Sequence, residues 1–242
     1  TPAASLSGFR RGIREFGPDN ETAIIWESRL DSKGLLLTGN TSVIYLFLWV
    51  NTSGGPVVIE SPPNVLAILD DFWFHYVTDI GNAGPDRGQG GKYLILPPGY
   101  EGDVPDGYFV KQSNTYGNWL AVRGFPTGDD NESVVKNIKD HLKVYPLAEK
   151  ANPKPVQYYD ISDKYINTLH AQDITIFHEI NEVVQEEPAA AWSAESLGML
   201  ASLGIEKGKE FKPDARMTKI LSEAAVVGTA TQRSIIWRNR NE

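Results

Sequence analysis

Apolar and polar residues alternate along this chain with two different periods, and the change of period divides it. Up to residue 124 the apolar runs are short and strand-like: TAIIWE at 22–27, VIYLFLWV at 43–50, PVVIE at 56–60, YFVKQ at 108–112 and NWLAVRG at 118–124. Turn-forming stretches at 51–55, 61–63 and 97–107 separate them. Short strands at this spacing predict an antiparallel sandwich or barrel. In NWLAVRG, Trp119, Ala121 and Arg123 share the face opposite Leu120 and Val122. Between these runs lies 70–100, which reads as an aromatic strand, a glycine-rich loop and an apolar strand closed by two prolines.

From Asp129 onward the period becomes helical. Val134, Val135, Ile138 and Leu142 share one side of a helix that Pro146 ends. A second helix places Ile174, Phe177, Ile180, Asn181 and Val184 together and stops at Pro188. Ser193 is the expected N-cap of a third, carrying Leu197, Leu200 and Leu203, with Gly204 as its C′ residue. A last helix opens near Asp214 with Met217, Leu221, Ala224 and Gly228 as its stripe, continuing to Ile235, Ile236 and Trp237. That stripe predicts a partner surface outside the chain. The division is therefore an N-terminal arm at 1–19, polar and glycine-punctuated, a β domain with one helix at 20–150, and a helical segment at 151–242. The proline-marked ANPKPVQYY is the expected boundary. Together this is an α+β chain.

The aromatic strand is where chemistry is sought. A strict period of two puts Phe72, Phe74, Tyr76 and Thr78 on one face and Asp71, Trp73, His75, Val77 and Asp79 on the other. The second face sets an indole among two carboxylates and an imidazole, suited to stacking a sugar or another flat ligand. Arg123 is the basic group expected to meet Asp71 or Asp79 across the sheet. The plainer alternative is an ordinary polar sheet face with Trp73 tucked under a loop, and the pattern favours it.

Other motifs fail their tests. The loop GNAGPDRGQGGK lacks a Walker glycine six residues before Lys92, has Tyr93 after the lysine, and leads into a strand. Its Gly88, Gly90 and Gly91 instead supply positive φ. His178 and Glu182 in HEINE share a helix face but have no third ligand at metal spacing, so no metal site is expected. Ser53 lacks the first glycine of a nucleophile elbow. Asp70, Asp71, Asp79, Asp86, Asp103 and Asp106 offer carboxylates whose mutual geometry the sequence does not fix.

Composition narrows the classes. At 242 residues, with 41% hydrophobic and 22% charged residues, the chain is an ordinary globular protein. A net charge of −8 argues against nucleic acid as a partner. Cysteine is absent, which removes disulfides and thiol chemistry. No run reaches membrane-spanning length. Asn20, Asn40, Asn51 and Asn131 open N-x-Ser/Thr triplets, which matter only in a eukaryotic secreted protein.

The segments LLLTGNT (35–41), GGPVVIESPP (54–63), GGKYLILPPGYEGDVPDGYFV (90–110), VYPL (144–147) and ASLGIEKGKEFKPDARMTKIL (201–221) resemble a largely bacterial family, domain of unknown function 1254. Its members are usually followed by domain of unknown function 1214. The resemblance implies export and two antiparallel jelly-roll-type sandwiches joined by helices, similar in fold to glycan-processing amidases. It brings no established catalytic residue. Where members commonly read Asn-Thr-Asp-Thr, this chain has Asn40, Thr41, Ser42 and Val43. It also implies that a leading segment and the C-terminal half lie elsewhere.

The expectation is thus an α+β fold, a jelly-roll-like antiparallel β-sandwich followed by a helical segment. Functionally it is an exported protein (periplasmic or secreted), hydrolase-like or glycan-binding. Asp71, His75, Asp79 and Arg123 are its candidate catalytic residues and Trp73 its candidate ligand-binding residue, with no metal or cofactor. The expected partners are a carbohydrate or other small ligand, the missing C-terminal half, and a second copy in a homo-oligomer. The alternative is a non-catalytic structural or interaction module.

Overall fold

The computed structural model describes residues 2–34 and 39–238; LLLT at 35–38, part of the family resemblance, lies outside the described residues. The described chain falls into two compact units, residues 4–169 and residues 170–238.

The first unit holds two sheets. The larger is built from β1 (Thr22–Ile25), β2 (Ile44–Asn51), β4 (Val65–Asp71), β5 (Tyr76–Gly81), β8 (Gly117–Gly124) and β10 (Gln157–Asp160), in the order β10-β1-β2-β8-β4-β5. The smaller has the order β7-β6-β3-β9, from β3 (Val57–Glu60), β6 (Lys92–Leu96), β7 (Phe109–Gln112) and β9 (Lys143–Pro146). Most pairings are antiparallel, as expected. Two are parallel, β1 with β10 and β6 with β7, so the sheets are mixed.

One buried apolar cluster joins both sheets. Ile44, Leu46, Leu48 and Val50 of β2, Leu120 and Val122 of β8, and Val65, Ala67 and Leu69 of β4 meet Val57 and Ile59 of β3 and Tyr93 and Ile95 of β6. Helix α2 (Asn131–His141) adds Val135 and Ile138, capped by Asp130, whose carboxylate accepts from Ser133 N. The intervening residues of β2, Tyr45, Phe47 and Trp49, are buried too. A strand apolar on both faces must be covered on both. The cover is helix α1 (Pro2–Arg14), where the sequence predicted an arm. Its Leu6, Phe9, Arg10 and Ile13 recur at helical spacing and all but half-buried Phe9 are fully buried. The buried Arg10 guanidinium lies 5.1 Å from the Phe72 ring centroid and 6.0 Å from that of Trp49.

Gly8 and Gly12, one turn apart, let the chain at 166–169 lie directly on α1. A Cβ on Gly8 would stand 2.2 Å from the Thr168 carbonyl oxygen. The proline-marked stretch is not the boundary between units, because β10 follows it and pairs with β1; the division comes after Leu169.

In the second unit, helices α3 (Thr175–Glu186), α4 (Ala194–Ser202) and α5 (Ala215–Arg238) surround Val184, Ile205, Phe211 and Leu221. Ser193 caps α4 through Ser196 N, and Gly204 follows its end with φ 86°. Asp214 caps α5 by accepting from Met217 N at 2.7 Å. Lys207 donates to the carbonyls of Val184, Gln185 and Glu187 at the C-terminal end of α3, where a cation also suits the helix dipole. On α5, Ala225 is buried in place of the expected Ala224.

Candidate functional site

The segment expected to be one alternating strand is a hairpin. β4 ends at Asp71 and β5 begins at Tyr76. Asp71 makes the turn: its Oδ1 accepts from Trp73 N at 2.8 Å and His75 N at 2.9 Å, while its backbone closes on His75 and Phe74. Phe74 takes φ 59° within it. The carboxylate that reasoning from period two assigned to a wet face is 1% exposed and committed to the backbone. Phe72, Trp73, Phe74 and His75 accordingly follow the turn instead of a pleat.

The remaining candidates scatter. His75 Nδ1 lies 3.3 Å from Asp71 Oδ2, with the imidazole largely in solvent. Trp73 is half-buried and packs against Phe72 at 5.7 Å. Asp79 pairs in register with Ile68, and Tyr76 donates its hydroxyl to Asp79 Oδ2 at 3.4 Å. Arg123 pairs with Leu66 and Tyr45, far along β8 from Asn118, the partner of Asp71. By parity Arg123 and Asp71 also occupy opposite faces of the sheet. The expected meeting of Arg123 with Asp71 does not occur.

What the structure does assemble lies on the outer face of the larger sheet. Trp119, Ala121 and Arg123 of β8, Tyr45 and Phe47 of β2, and Ile68 and Asp70 of β4 line a cleft of about 470 Å³. Phe9 of α1, Phe74 of the turn and the 168–169 segment complete its walls. Its size falls in the range of small-molecule sites. Trp119 is the hub: Phe47 lies 5.1 Å away, Phe9 5.3 Å and Phe74 5.8 Å, the last edge-on at 81°. At one end the Arg123 guanidinium sits 5.4 Å from the Tyr45 ring centroid.

At the other end is Asp70. It is 8% exposed, and among the described residues neither a hydrogen bond nor a cation acts on its carboxyl. Burial pushes its pKa up from 3.8 to about 6, with the charges of Asp71 and Asp79 adding to the shift. Reading from the sequence noted Asp70 only among loose carboxylates and missed the ring of aromatics. The signal was the row Tyr45, Phe47, Trp49 interleaved with Ile44, Leu46 and Leu48.

A second hollow of about 600 Å³ lies among Arg14, Asp19, Asn20, Asn51 and neighbouring loops. Its polar groups are paired with one another, Arg14 with Asp19 and Asn20 reciprocally with Asn51. Asp86, in the failed phosphate loop, is likewise structural, accepting from Gly81 N and the Tyr93 hydroxyl. Gly88 and Gly90 have positive φ as expected, whereas Gly91 does not. His178 stacks edge-on against Phe211 at 5.1 Å, and no cluster able to hold a metal is found among the described residues.

Fold and site together define an α+β protein with two mixed sheets, a helical segment, and an aromatic cleft carrying one buried carboxyl. The chain belongs to the family described as protein of unknown function (DUF1254), whose model matches residues 21–146, more than half of the sequence. In fold it is similar to the crystal structure of the VPA0106 protein from Vibrio parahaemolyticus, with a TM-score of 0.63 and 18% sequence identity. The match covers 96% of this chain and 55% of that one, so the chain spans about half of that protein's length. No curated protein matches it. No helix among the described residues is long and apolar enough to cross a membrane.

Proposed function

We propose that the first unit is a small-ligand-binding module whose site is the aromatic cleft over β2, β8 and β4. One observation carries the reading: the Asp70 carboxyl, in a residue nine-tenths buried in the cleft wall, has no hydrogen-bond or ionic partner among the described residues. A buried polar group left unsatisfied costs about 1–3 kcal/mol, more if charged, and a ligand donor would recover that cost. The aromatic walls supply apolar area, and the few polar groups fix orientation, as small-molecule sites require. The aromatic plate that the sequence reading sought at Trp73 is in this reading Trp119, which pairs across the sheet with Asp70. A jelly-roll-like path for the two facing sheets belongs to the same proposal.

The test is a thermal-shift and tryptophan-fluorescence screen of neutral sugars, acidic sugars, aromatic acids and aromatic amines. Binders are expected to lose affinity at least tenfold in Trp119→Ala. A screen in which every binder is indifferent to Trp119→Ala would move the site elsewhere.

The alternative, an interaction module, draws on α5. Val226, Val227, Ile235, Ile236 and Trp237 are each more than half exposed on that helix. Exposed apolar rows of this size mark contact surfaces.

A further inference from the structure

The proposal that the cleft is a ligand site rests on shape and on Asp70; the surroundings of Asp70 say what chemistry it takes. We propose that the Asp70 end of the cleft binds an organic ammonium group carried on an apolar or aromatic body. This inference depends on the cleft being the ligand site.

The charges that act on Asp70 are those of two carboxylates. Asp71 follows it on β4, and Asp79 lies on the neighbouring strand β5 with the Tyr76 hydroxyl bonded to it. His75, at the turn, is directed to Asp71. On β8, the residue paired with Asp70 is Trp119, an uncharged indole. The cation that shares the cleft, Arg123, is four residues further along β8, about 13 Å away at the rise of an extended strand. Its guanidinium is stacked on Tyr45 instead. No cation among the described residues therefore neutralises Asp70, and the local field favours a positive ligand over a neutral one.

The walls add the second half of the argument. Phe9, Phe47 and Phe74 stand around Trp119 at centroid separations between 5.1 and 5.8 Å, and Asp70 pairs with that same tryptophan. Aromatic faces attract cations, most strongly where water is excluded, and alkylated ammonium ions are the ligands such surroundings recognise. A sugar hydroxyl would satisfy one lone pair of Asp70 but would leave its charge uncompensated.

The experiment is calorimetric titration of the full chain with benzyltrimethylammonium, and with benzyl alcohol as the neutral probe, at pH 5 and pH 7.5. Asp70→Asn and Trp119→Ala are titrated alongside, each first shown by circular dichroism to keep its fold. The cation is expected to bind at least tenfold more tightly than the alcohol at pH 7.5. Its affinity should fall on going to pH 5, as Asp70 takes up a proton, and Asp70→Asn should lose both the preference and the pH dependence. Equal affinity for the two probes, or a cation preference that survives Asp70→Asn, would overturn the proposal while leaving the cleft as a ligand site. If neither probe binds and the ligands found in the broader screen ignore Trp119→Ala, the cleft reading falls and this inference with it.

Discussion

Adjacent carboxylates in β4 have opposite fates, and the cause is the parity of a strand. Asp71 shares the side of Leu69 and is drawn into the turn, where two amide N–H groups bond its Oδ1 while its Oδ2 lies 3.3 Å from His75 Nδ1. Asp70 shares the side of Ile68 and faces the cleft with no donor. Its pKa of about 6 in the folded chain, against 3.8 for the free side chain, means that folding takes up a proton between those values. The contribution of this group to stability is therefore full below about pH 4 and is lost as the pH rises through about 6. With solvent screening discounted, the loss is on the order of 1–2 kcal/mol. Asp70→Asn should escape it. In urea titrations the variant is expected to gain on the wild type steadily between pH 4 and pH 7, whereas a pH-independent difference would mean that the carboxyl is solvated in the folded chain.

At the scale of elements, covering β2 on both sides is what builds the cleft. Helix α1 can approach only because Gly8 has no side chain where the Thr168 carbonyl oxygen lies. Gly8→Ala should cost about 1–3 kcal/mol of unfolding free energy, read from the urea midpoint, because backbone must move to admit the methyl group. An unchanged midpoint would show that the 166–169 segment is not held on the helix. The same elements show what the sequence made legible. Strands β1, β2, β3, β6, β7 and β8 and the later helices stand in apolar periodicity, and Ser193 with Gly204 announced the ends of α4. The α1 helix was hidden by its serines, glycines and arginines, since its buried face includes Arg10 and Ser7. The hairpin at 71–75 was hidden for a different reason. Aromatic residues run consecutively there in the sequence, but an aspartate ahead of them offers the backbone a competing partner, and that local bond outweighs the pleat. Since the candidate site was read from that pleat, Trp73, His75 and Asp71 were gathered together on paper while Trp119 and Asp70, joined through register between distant strands, were not.

At the scale of the whole molecule, the described chain is two compact units. The net charge of −8 is consistent with a site that receives cations and repels anions, though Arg123 gives the cleft one basic end. A ligand saturating the first unit at a hundred times its dissociation constant would add about 2.7 kcal/mol to its stability. That corresponds to a rise in melting temperature of about 5 °C or more for a unit of this size, so weak binders remain detectable by heat alone.

The parallel seam between β1 and β10 has a further consequence for anyone who shortens this protein. Gln157–Asp160 closes a border that is laid down more than a hundred residues earlier. Ending the polypeptide at residue 150 would strip that border and leave the amides and carbonyls of Thr22–Ile25 open to any passing chain. Such a shortened protein is expected to elute in size-exclusion chromatography as concentration-dependent aggregates, and one ending after Leu169 as a discrete species.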